Sequence, residues 1–152
     1  MTDLEAGPTQ VYRIFIRAQP EAIWQAITSP GFTARYFHGA RITVVPERYT
    51  SFGPNGDTWG DEDVYEFDPP RRLVHGWRSL YDDELAAEPA SRVTWEIEPQ
   101  DDSVCLVTVI HDRLDDSPKT AASVSGRGWM GVLSGLKTLL ETDTPLFAPS
   151  ET

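Results

Sequence analysis

The residues able to do chemistry in this 152-residue chain are few, and most fall on predicted strands. His75 shares a strand face with Leu73 and Trp77, and His111 shares one with Val107 and Val109, because alternate residues of a strand point the same way. A neutral imidazole held inside can donate one hydrogen bond and accept another. Each histidine therefore reads either as a hydrogen-bonded core residue or as a catalytic or ligand-binding group. Glu66 alternates with Val64 and would also point inward, where a carboxylate is costly unless paired; a bulge or an edge position would instead leave it in water. Arg78 and Arg92 fall opposite their aromatic neighbours and are expected at the surface.

Spacing argues against several other chemistries. No His-x-His or His-x-x-x-His pair exists, and Cys105, the only cysteine, has no nearby partner, so neither a metal site nor an intrachain disulfide is expected. Asp57, Asp61 and Asp63 miss the ligand spacing of a calcium loop. A Gly-x-Ser-x-Gly elbow for serine hydrolysis is missing. Gly126-x-Gly128-x-x-Gly131 matches a dinucleotide fingerprint in spacing but lacks the strand-helix-strand context that gives it meaning, so no cofactor is expected. With 13 Lys and Arg against 24 Asp and Glu, the net charge of −11 opposes nucleic-acid and anionic-membrane binding. Apolar runs stay far short of the roughly 18 residues a membrane span needs, and a cytoplasmic protein is expected.

The elements that must position these residues follow from periodicity. Val11 to Arg17 reads as a first strand, Pro20 to Thr28 as a helix, and Ser29-Pro30 as the start of a second short helix reaching Phe37. From Ala40 the period is two: Ile42 to Val45, Tyr49 to Phe52, Val64 to Phe67, Leu73 to Leu80, Arg92 to Glu98 and Val104 to Leu114 read as an antiparallel meander. Pro69-Pro70 forces a tight turn before Leu73, and the acids from Asp57 to Asp63 read as a solvated loop. A long amphipathic helix is predicted from about Ser123 to Glu141, with Trp129, Val132, Leu133, Leu136, Leu139 and Leu140 on its buried face. Gly128, Gly131 and Gly135 flank that face, reading either as close packing or as space kept for a ligand. The tail from Asp143 should fray. No repeat or linker divides the chain, so residues 1–152 read as one domain with its core at about 11–142.

Four stretches, taken in order, resemble a known family. They are Ala18-Gln19-Pro20-Glu21-Ala22-Ile23-Trp24-Gln25-Ala26-Ile27-Thr28, Asp68-Pro69-Pro70-Arg71-Arg72-Leu73-Val74-His75-Gly76-Trp77, Ser91-Arg92-Val93-Thr94-Trp95-Glu96-Ile97-Glu98-Pro99, and the run from Gly128 to Thr142. Together they are similar to the bacterial activator-of-heat-shock-protein-90-ATPase-like domains of the START-like (SRPBCC) superfamily, which includes the birch pollen allergen and polyketide cyclases. The resemblance implies an α+β helix-grip fold. In it a curved antiparallel sheet wraps around a long C-terminal helix, with two short helices between the first two strands and a cavity between that helix and the sheet.

The expected function is binding of a hydrophobic or aromatic small molecule in that cavity. Its expected lining is Glu66, His75, Trp77, Trp95, Val107, Val109, His111, Leu133 and Leu136. Trp59 in a loop and Tyr36 and Phe37 at a helix end would stand at the rims. Two alternatives stay open: a cyclase- or hydrolase-type enzyme using His75 or His111 as acid or base, and a stress-response, co-chaperone-like interaction module. A homodimer is allowed as a partner state.

Overall fold

Prolines and alternation set the element boundaries. The computed structural model describes residues 9–125 and 127–147. In chain order the elements are β1 (Gln10–Ile16), α1 (Pro20–Thr28), α2 (Pro30–Thr33), β2 (Arg41–Val44), β3 (Arg48–Phe52), β4 (Thr58–Asp68), β5 (Arg72–Trp77), α3 (Asp83–Ala86), β6 (Ser91–Pro99), β7 (Cys105–Asp112), α4 (Pro118–Val124) and α5 (Arg127–Thr142). The seven strands form one curved antiparallel sheet in the order β1-β7-β6-β5-β4-β3-β2, so every connection joins neighbours except the one from β1 to β2, which carries α1 and α2. This is the α+β, helix-grip arrangement.

Several boundaries differ from the periodicity reading: α2 ends at Thr33 and does not reach Phe37, and β7 ends at Asp112 and not at Leu114. β4 begins at Thr58 and not near Val64, because the acidic run is a strand whose outward carboxylates, Asp61 and Asp63, are held by Arg48 of β3 at 2.6 and 2.5 Å. β5 ends at Trp77, three residues early. The single C-terminal helix expected from Ser123 is instead two helices, with Ser125 in extended conformation closing α4. A side chain able to cap followed by proline, the signal used at Ser29-Pro30, also stands at Ser117-Pro118, where α4 starts.

The core lies between α5 and the concave sheet face. Trp129, Val132, Leu133, Leu136 and Leu139 of α5 join Leu73, Val93, Val107 and Val109 in one buried cluster. Helix α1 closes it with Ile23, Trp24, Ala26 and Ile27, and Trp24 meets Phe67 edge-on with ring centres 5.3 Å apart. At the free edge of β1, α5 supplies side-chain partners to the backbone: Lys137 donates to the Phe15 carbonyl at 2.9 Å and Glu141 accepts from the Arg17 N–H at 2.8 Å.

Gly135 and Gly131 stand in different surroundings. At Gly135 a Cβ would lie 3.2 Å from Tyr36 Cβ and 3.3 Å from its carbonyl oxygen, so here the missing side chain permits close packing on the segment after α2. Gly131 faces an open groove beside Phe147, 3.9 Å away. Asp143 to Phe147 is described; the rest of the tail expected to fray lies outside the described residues.

Gly131→Ala should therefore raise stability by about 0.5–1 kcal/mol through helix propensity. Gly135→Ala should lower it, because the crowding against Tyr36 costs roughly 1–3 kcal/mol and outweighs the same gain. Urea denaturation of both variants checks the opposite signs.

Candidate functional site

Pairing between β4 and β5 runs from Asp68↔Arg72 to Val64↔His75, with a bulge between Val64 and Glu66. Past that point the registered pairs stop, and the two segments meet again where the Leu80 N–H donates to the Trp59 carbonyl at 2.9 Å. Residues on both sides of the parting line a cavity of about 180 Å³. Phe37, Tyr49, Trp59, Trp77 and Tyr81 supply aromatic walls, with Ala40 and Gly60 between them. The polar lining is His38, Ser51, Glu62, Arg78 and Ser79.

Glu62 is the buried acid of this site, with its side chain 11% exposed. It alternates inward with Gly60 and Val64, whereas Asp61 and Asp63 point out to Arg48. Gly76 makes room for it: a Cβ there would lie 2.8 Å from Glu62 Oε1 and 3.2 Å from Glu62 Cβ. Arg78 Nε stands 3.7 Å from Glu62 Oε2, a charge pair too long to be a hydrogen bond. Burial pushes the Glu62 carboxyl above its ordinary pKa, and Arg78 and Arg48 pull part of the way back. Trp77 Nε1 and Arg78 Nε are buried N–H groups without an acceptor among the described residues.

The two sheet histidines sit behind this cavity and do not line it. His111 is saturated. The Trp129 indole N–H donates to its Nδ1 at 3.1 Å, which leaves the ring proton on Nε2, 2.7 Å from Ser91 Oγ. His75 sets Nδ1 2.7 Å from the Gly76 carbonyl, so that nitrogen carries the proton, and the ring stacks on Tyr49 with centres 4.0 Å apart. Its Nε2 is buried without a partner among the described residues. Burial holds both imidazoles near pKa 4, and for His111 the neighbouring His75 adds to the depression. His38 is exposed at the rim, but desolvation lowers its pKa as well.

Of the nine residues expected to line a cavity, the structure brings Trp77 to it. Trp95, Val107, Val109, Leu133 and Leu136 pack in the core between α5 and the sheet, each less than 5% exposed, and the space expected there is filled by their own side chains. Glu66 faces out, half exposed, and accepts from Arg72 at 3.0 Å, because the bulge in β4 reverses the alternation that Val64 begins. Arg78, expected at the surface, reaches the cavity wall because β5 stops at Trp77 and strand alternation no longer applies. Sequence reasoning missed Tyr49, Ser51, Glu62 and Ser79. The signal for Glu62 was the alternation Gly60-Glu62-Val64, hidden inside an acidic run. Among the described residues no group of three His, Cys, Asp or Glu could hold a metal, and no helix is long and apolar enough to cross a membrane.

The family model for Activator of Hsp90 ATPase homolog 1-like protein matches residues 17–141, and the chain belongs to that family. Among solved structures it is similar to protein MLL2253 from Mesorhizobium loti, at 22% identity and TM-score 0.68, covering 88% of this chain and 97% of that one. The Aha1 dimer from Colwellia psychrerythraea matches at 20% identity and TM-score 0.68, covering 89% and 97%. CalU16 from Micromonospora echinospora matches at 21% identity and TM-score 0.66, covering 91% and 77%. At these identities the likeness concerns the fold. No curated protein matches the chain.

The histidines make two expectations. Unfolded imidazoles ionise below about pH 6.5, whereas the folded ones stay neutral to about 4, so the native state binds fewer protons in between. Their contribution to stability is complete above about pH 7 and is lost as pH falls from 6.5 toward 4, by up to ~3 kcal/mol for each histidine; urea midpoints against pH check this. His111→Phe strands the Trp129 N–H and should destabilise by ~1–3 kcal/mol, measured by the same unfolding.

Proposed function

We propose that this chain binds a compact aromatic or apolar small molecule in the cavity walled by Phe37, Tyr49, Trp59 and Trp77. The observation that carries the reading is the set of rings converging on free space, while the rest of the interior is closely packed. A cavity of about 150 Å³ is enough to take up benzene, so about 180 Å³ suits one ring with a small substituent. Family membership and the fold support a ligand-binding or cyclase-like role in general terms. Acid–base catalysis by the histidines draws no support from the geometry, since His111 is saturated and neither ring lines the cavity. The dimer of the Colwellia protein supports a homodimer as the partner state for this chain, testable by its mass in solution.

The test compares two placements. At Gly60 a Cβ would make only ordinary contacts, 3.6 Å to Ser51 Cβ and 3.8 Å to Tyr49, so the methyls of Gly60→Val can enter the cavity without unfolding the strand. Toluene uptake, followed by chemical-shift changes of the tryptophan indoles, should fall at least ~10-fold in Gly60→Val, as expected from losing one buried ring contact. It should be unchanged in Gly131→Leu on the outer side of α5. The reverse pattern would return the site to the helix and sink this placement.

A further inference from the structure

The polar groups on the cavity wall select among rings. Glu62 brings a carboxylate that receives no hydrogen bond from any described residue, and its charge partner Arg78 stays at 3.7 Å. Arg78 lines the same wall, and its guanidinium, partly exposed, donates to no described residue. The wall therefore presents an acceptor and a donor group that no side chain of the protein satisfies.

An ammonium group on the ligand would satisfy Glu62 but can only donate, and it would meet the Arg78 guanidinium charge to charge. A carboxylate would satisfy Arg78 but only accepts, and it would meet Glu62 charge to charge. An ether accepts without donating. A hydroxyl does both with one heavy atom, which matters where a single ring nearly fills the space. Resting on the ligand-binding reading above, we propose that the cavity is selective for a hydroxylated aromatic ring, a phenol, whose O–H donates to Glu62 and whose oxygen accepts from the Arg78 guanidinium. The burial that raises the Glu62 pKa works in the same direction, because a carboxylate short of solvent gains most from a ligand donor.

The experiment is a calorimetric or NMR titration at pH 7 of the full chain with four probes of similar size: p-cresol, toluene, anisole and benzylammonium. The expected result is p-cresol binding at least ~10-fold more tightly than toluene and anisole, about 1.4 kcal/mol. Glu62→Leu should erase that preference while keeping toluene binding. Equal affinity for p-cresol and toluene would overturn the inference and leave the ligand-binding reading standing, and so would a preference for benzylammonium, which would mark a cation site. Retention of the p-cresol preference in Glu62→Leu would overturn the role of Glu62. If none of the four binds the wild-type chain, the ligand-binding reading itself falls. Should Glu62→Leu fail to fold, the wild-type series still decides.

Discussion

A chain of three hydrogen bonds, two of them fully buried, holds α5 to the sheet, and the position of everything between them depends on it. The Trp129 indole can only donate, so His111 Nδ1 must accept; the imidazole proton is then on Nε2 and goes to Ser91 Oγ; the Ser91 hydroxyl in turn donates to the Trp77 carbonyl at 3.2 Å. Each group has one remaining option, which fixes a single tautomer and a single helix position across β7, β6 and β5. With the helix set at this height, the apolar side chains beneath it close into a packed core. Free volume remains at the other end, where β4 leaves β5. Trp77 belongs to both regions: its carbonyl ends the hydrogen-bond chain and its indole forms a wall of the cavity.

The charges are arranged around the same distinction between outside and inside. Arg48 with Asp61 and Asp63, Arg72 with Glu66 and Glu96, and Arg92 with Asp112 lie on the outer surface of the sheet, where such pairs contribute little to stability. They do steer the fold by keeping outward carboxylates out. Glu62, between two residues of the Arg48 cluster in sequence, is turned the other way by strand alternation, and there it keeps its charge partner but loses its water.

The fold was legible because its signals are local. Alternation marked β1, β5, β6 and β7, the two prolines after Asp68 marked the turn, and the apolar face of α5 marked the helix that the sheet wraps. The site was not legible, for a different reason at each residue. Glu66 was displaced by a one-residue bulge that no composition betrays. Arg78 was reassigned because the strand stops a residue before it. Trp95, Val107 and Leu136 face the interior as expected, but whether facing residues meet or leave a gap depends on how helix and sheet are held apart, and that distance is a property of the hydrogen-bond chain above rather than of any single residue type. The glycines of α5 show the same ambiguity: Gly135 answers to a neighbour 99 residues earlier in the chain.

The contacts of Lys137 and Glu141 with the backbone of β1 bear on how copies of this protein can meet. An open strand edge is a template on which another chain can add a strand, and repeated addition leads to fibrils. Here an ammonium and a carboxylate one helical turn apart occupy the Phe15 carbonyl and the Arg17 N–H, so an incoming strand would have to displace two charged side chains before forming its own ladder. The same helix that completes the core thus acts as a guard against runaway polymerisation at that border, and it leaves β2, at the far margin of the sheet, as the place where growth by strand addition could begin.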